Sequence, residues 1–133
     1  MRWRAAIDDE QGSSPVEFVL VGSLLTVLTL AVLQLGLAMY VRNVVHDAAV
    51  EGAYYAALAD TALGEGAEHT RLSITRAVGD SFAEDITVAE SDRLGQPTAV
   101  VTVRTTLPVI GLLGIPFAME VDADAPLESL GDE

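Results

Sequence analysis

The residues best placed to do chemistry in this chain are one carboxylate and the glycine five positions ahead of it. Glu17 stands at the entrance of an apolar run, residues 18–41, that holds no other charge, and Gly12 follows a short leader carrying Arg2 and Arg4. An ionisable group at the edge of a membrane-length segment is costly unless it has a partner or a task. The other candidates are weaker. Glu65, Glu68 and His69 are close in sequence, but three ligands from one short segment make a poor metal site. Asp122 and Asp124 share a strand face and, with Glu120, could attract a cation weakly. No Ser/His/Asp arrangement, phosphate loop or dinucleotide fingerprint occurs. The absence of cysteine excludes disulfides, thiolate metal sites and a cysteine nucleophile. The chain therefore reads as a non-enzyme with no cofactor and no metal.

The element that positions Glu17 is a long helix. Residues 18–41 number 24, which at about 1.5 Å per residue spans roughly 36 Å, enough to cross a hydrocarbon core of about 30 Å with some tilt. Ser23, Thr26, Thr29 and Gln34 interrupt the run, and such side chains bond back to their helix or to a neighbour. A cleaved signal peptide competes, but its apolar stretch is about 7–15 residues. Arg2 and Arg4 precede the span and only Arg42 follows it closely. The expected orientation is a cytoplasmic N-terminus with the C-terminal part outside the cell membrane. Local structure offers one account of Glu17: Ser14 as N-cap, Pro15 at the first helical position and Glu17 three residues into the helix, forming a capping box.

Beyond the span, Val41, Val44, Val45, Ala48, Gly52, Tyr55, Ala56 and Ala59 recur at helical spacing, which predicts that the helix continues to about Asp60. Asn43, His46, Asp47, Glu51 and Tyr54 fall on the opposite face. Gly64 and Gly66 are expected to break the helix, and a second helix is predicted from about Gly66 to Phe82, with Ala67, Ile74, Val78 and Phe82 on one side. Three strands follow. Ile86, Val88 and Glu90 alternate with Thr87 and Ala89; residues 92–97 make a turn; and Ala99, Val101, Val103, Thr105 and Leu107 form the apolar side of the next strand. Phe117, Met119, Val121, Ala123 and Ala125 then alternate with Glu120, Asp122 and Asp124. The predicted fold is α+β, with a three-stranded antiparallel sheet that has one face against the helices. The connection over residues 108–116 is unusually apolar. Tucking under the sheet is one expectation, and contact with a membrane surface or a neighbouring subunit is the other. The tail after Pro126 is expected to fray.

Net charge is −13 over 133 residues, and from Arg42 onward five arginines face sixteen acidic residues. Such a surface repels nucleic acid and anionic headgroups.

The stretch Gly12-Ser13-Ser14-Pro15-Val16-Glu17-Phe18 before a long apolar helix resembles the processing site of type IV pilin-like proteins, most closely the tight-adherence (Flp) branch. Tyr40-Val41-Arg42-Asn43 and Ala48-Ala49-Val50-Glu51-Gly52-Ala53-Tyr54-Tyr55-Ala56 look like the segment after the membrane in TadE-like minor pilins and pseudopilins. The resemblance implies a pilin-like fold and a prepilin peptidase that cuts between Gly12 and Ser13. It also implies Glu17 and Phe18 as residues of subunit register or assembly. Tyr40, Arg42, Asn43, Glu51, Gly52 and Tyr55 become a candidate subunit contact face. Implied partners are that peptidase, a pilus assembly platform with its ATPase, other pilin subunits and the membrane, but no nucleic acid.

The expected organisation is a cytoplasmic leader over residues 1–12, a candidate for cleavage, a transmembrane helix over 13–41, and an extracytoplasmic α+β domain over 42–133. The leading function is a membrane-anchored minor pilin or pseudopilin that contributes to assembly of a tight-adherence pilus and adhesion. The alternative is a permanently anchored, single-pass extracytoplasmic binding module that is not part of a filament.

Overall fold

Nearly every residue from Val16 to Ala57 is compatible with helix, and no proline follows Pro15 until Pro97. The outcome, in a computed structural model that describes residues 13–58, 60–93, 95–111 and 113–128, is one unbroken helix, α1, over Ser13–Ala57. Leader residues 1–12, Ala59 and residues 129–133 lie outside the described residues. The chain divides between Leu35 and Gly36 into two units.

In the first unit the helix is apolar all round. Phe18 is 79% exposed and Leu24, Leu28 and Leu33 are similarly bare. A helix without a polar face has to be covered by lipid or by other helices. It is long and apolar enough to cross a membrane, with a mean hydropathy of 2.3 in its most apolar stretch. Its hydroxyls are satisfied locally, as expected. Ser23 Oγ donates to Val19 O at 2.7 Å, Thr26 Oγ1 to Gly22 O at 2.8 Å, and Thr29 Oγ1 to Leu25 O at 2.8 Å.

The second unit contains the C-terminal part of α1, then α2 (Leu63–Ala77), a short 3-10 turn (Asp80–Phe82) and three strands: β1 (Asp85–Arg93), β2 (Gln96–Ile110) and β3 (Leu113–Pro126). The strands form an antiparallel sheet in the order β1-β2-β3. The fold is α+β in two layers, with both helices on one face of the sheet. The core joins Val41, Val45, Ala49 and Ala53 of α1 and Ile74 of α2 to Phe82, Val101, Val103, Met119 and Val121. Side-chain period two puts Ile86, Ala99, Val101, Val103, Thr105, Val121 and Ala123 under the helices and leaves Thr87, Arg104, Glu120, Asp122 and Asp124 exposed.

Several expectations need correction. The α1 helix stops at Ala57, short of Asp60, and Gly64 and Gly66 lie inside α2 instead of ending a helix. The reason is close approach of the two helices. A Cβ on Gly66 would lie 2.5 Å from Ala56 Cβ and 2.7 Å from Gly52 O, and a Cβ on Gly52 would collide with Thr70 Oγ1. Only glycine fits such a crossing, which outweighs its cost of about 1 kcal/mol per residue in a helix. The α2 helix ends at Ala77, and Phe82 belongs to the separate 3-10 turn. The β1–β2 connection is only residues 94–95, because Asp92 pairs with Pro97 and Arg93 with Gln96.

The segment 108–116 does not tuck under the sheet. It extends β2 and β3 into a hairpin whose turn includes Gly111 at φ 57°, and Ile110 and Leu113 are 75% and 78% exposed. Phe117 leaves the apolar side of β3. The register skips between Thr105↔Met119 and Leu107↔Ile115, leaving three β3 residues opposite Thr106 alone. This bulge holds Phe117 at φ 55° and turns its ring outward. The tail is tied down as far as it is described: Leu127 N donates to Pro97 O at 2.9 Å and Glu128 N to Ala57 O at 3.0 Å.

Thr105 carries a test of the layer contact. Its buried hydroxyl donates to Phe82 O at 2.7 Å, so Thr105→Val strands a buried carbonyl. The expected loss is about 1–3 kcal/mol, measurable as a lower denaturant midpoint in pulse proteolysis of the detergent-solubilised chain.

Candidate functional site

The first candidate site is the start of α1. Ser13 is already helical, so Ser14 is inside the first turn and is not the N-cap. Whatever precedes Ser13 lies outside the described residues. Pro15 remains comfortable, because the first four N–H groups of a helix have no intrahelical acceptor. Glu17 then stands just past the first turn, which contains no acidic residue. Glu17 is an exposed helical carboxylate, with the bare Phe18 ring next to it.

The second candidate is the face after the span. Tyr40, Asn43, Asp47, Glu51 and Tyr54 are all exposed and, at steps of three and four, make one stripe of α1. The other residues of the expected contact face separate from it. Arg42 lines a concavity with Ala38, Met39, Leu107 and Ala118. Tyr55, 39% exposed, stacks on His69 of α2 with ring centroids 4.9 Å apart and planes 19° from parallel. Gly52 is buried against Gly66 and Thr70, so its role is packing within the chain. Thr70 Oγ1 lies 2.9 Å from Gly66 O and 3.3 Å from Ala48 O, and its single proton can bridge the helices.

The acidic strand face is partly neutralised. Arg104 Nε donates to Glu120 Oε2 at 2.6 Å, and Arg93 meets Asp124 at 3.4 Å. The hydrogen bond and then the charge of Glu120 hold the Arg104 guanidinium above its ordinary pKa, so it stays ionised. Two of the three carboxylates suspected of attracting a cation thus face arginines. Among the described residues, no group of three or more histidine and acidic side chains is gathered closely enough to hold a metal. His69 and Glu68 border a shallow surface depression with Tyr55 and Leu72.

The small-residue face of α1 signals close approach of another helix, but the sequence does not identify Gly66 as its partner, nor residues 108–116 as the end of a hairpin. That face is carried by Ala48, Gly52 and Ala56, small residues four apart.

Over residues 12–53 the chain matches the family of TadE-like proteins. Comparison with curated proteins and with solved structures gave no match. The matched stretch holds Glu17, the whole apolar run and the first part of the buried face of α1, and residues 54–133 lie outside it.

Proposed function

We propose that this chain, a TadE-like protein of the tight-adherence pilus system, acts as a membrane-anchored minor pilin or pseudopilin that contributes to pilus assembly. The role is structural and not catalytic. The observation that carries the reading is the match over residues 12–53, coincident with a helix that is bare and uncharged from Phe18 to its middle. In this reading a prepilin peptidase cuts between Gly12 and Ser13, and Ser13 becomes the N-terminus. Its ammonium pairs with the Glu17 carboxylate of an adjacent subunit and so sets register. An ionised group beside hydrocarbon is tolerable when a neighbour supplies the opposite charge. The N-terminus faces the cytoplasm and the domain faces outward. Tyr40, Asn43 and Glu51 form the subunit contact stripe, with Arg42 and Tyr55 at its margins. The assembly platform and its ATPase act on the subunit from the membrane and the cytoplasm.

Glu17→Ala tests the register. The variant is expected to insert in the membrane at wild-type level while co-purification with pilus components falls to background. Glu17→Gln should behave in the same way, because only the charge is used. Unchanged co-purification in both variants would favour the permanently anchored binding module. N-terminal sequencing checks the cut, with Ser13 expected first in cells that contain an active prepilin peptidase.

A further inference from the structure

The far end of the β2–β3 hairpin is apolar and uncovered. Residues 105–119 contain no charge, and Val109, Ile110, Leu113, Ile115 and Phe117 are between 45% and 78% exposed. Contacts inside the unit that begins at Gly36 fix where this end lies. At the start of β2, Pro97 O accepts from Leu127 N, and the next amide, Glu128 N, donates to Ala57 O at 3.0 Å. Ten residues on, Leu107 and Ala118 line a concavity with Ala38, Met39 and Arg42. Strand β2 therefore runs antiparallel to α1, from the level of Ala57 to that of Ala38, and the hairpin continues past it. Three more residues at about 3.3 Å each carry the tip roughly 10 Å further. In the same direction the part of α1 inside this unit passes from Arg42 to the uncharged residues 36–41. Tyr40 and Arg42 are residue types found at headgroup level.

We propose that the hairpin tip, residues 108–117, seats in the lipid interface of the membrane that α1 spans, as a second and shallow anchor. Continuity favours lipid over a protein partner. Met39 is 60% exposed, and the bare tip adjoins that level, so one bilayer surface covers both. The attachment has to be apolar, because the acidic domain repels anionic headgroups. Depth is limited by the backbone. Strand β1 pairs with β2 only as far as Arg104, so the two-stranded tip keeps open edges that need water and cannot enter the hydrocarbon core. Pro108 and Pro116 remove two of those edge donors. The inference rests on the membrane reading of residues 18–41 and not on the pilus reading.

The chain has no cysteine, so single-cysteine variants take one label each. Full-length Leu113→Cys, Thr87→Cys and Leu28→Cys, each carrying an environment-sensitive fluorophore, are reconstituted in phosphatidylcholine vesicles containing nitroxide lipids. Leu113 and Thr87 are both exposed, so neither change disturbs the core. The label at 113 should be quenched several-fold more strongly than that at 87, most by a shallow nitroxide, whatever the protein-to-lipid ratio. The label at 28 should respond to a deep nitroxide. If 113 behaves like 87 while 28 still reports the span, the proposal is overturned and the span stands. If 113 is shielded only as protein density rises, without lipid quenching, a second copy covers the tip and the proposal is likewise overturned.

Discussion

Replacing Phe82 with alanine is expected to remove about 3–5 kcal/mol from the α+β unit, a large part of the roughly 5–15 kcal/mol that holds an ordinary domain together. Phe82 is 1% exposed and, among the described residues, the largest fully buried side chain. It sits in a 3-10 turn between α2 and β1, and its carbonyl is held by Thr105 from the middle strand. The next carbonyl, Ala83 O, accepts from Arg71 of α2 at 2.7 Å. The backbone that carries the ring is therefore held at two successive carbonyls, which limits how far the site can close when the ring is lost. Hydrogen exchange of the detergent-solubilised chain is the measurement. Amides of β1 and β2 should lose most of their protection, while those of residues 18–35, which share no core with Phe82, keep theirs. Unchanged protection in the strands would show that the core does not depend on this ring.

Gly66→Val is expected to part the two helices. A side chain there meets Ala56 Cβ and the carbonyl of Gly52. Backbone cannot swing aside as a flexible side chain can, so the cost should reach or exceed the usual 1–3 kcal/mol, approximately, for overpacking. Gly64→Val is the control, because nothing lies within 4 Å of a Cβ at that position. Proteolysis within residues 58–62 should accelerate strongly in the first variant and change little in the second. Equal acceleration would place the effect in helix propensity instead of the crossing.

What the sequence made legible follows from periodicity. Val41, Val45, Ala48 and Ala56 were readable as a buried stripe, and Val101 and Val121 as buried strand positions, because apolar and polar residues alternate at the helical and strand periods there. The rest was hidden where periodicity is silent. Gly64 and Gly66 look like helix breakers when propensity is judged alone, and only the approach of Gly52 makes a glycine favourable inside α2. Residues 108–116 are apolar without a polar partner face, so nothing local distinguishes a buried loop from an exposed hairpin. Phe117 fits the alternation of β3 by count, but a bulge changes its parity. Ser14 has the composition of a cap, yet Ser13 before it is already helical. As for the candidate site, Glu17 was conspicuous as the lone charge at the edge of an apolar run. Its task was not legible, because a single carboxylate at a span edge fits helix capping and subunit pairing equally well.

The clasp between Glu128 N and Ala57 O joins the end of α1 to a residue about 70 positions later, and it has a cost in time. The face of α1 formed by Val45, Ala49 and Ala53 is covered by strands that leave the ribosome long after it does. At roughly 5–20 residues per second, the interval is on the order of several seconds. During it the first helix of each new chain carries a small-residue surface with nothing yet made to cover it. Synthesis order thus places the greatest risk of misassembly before the last strand exists.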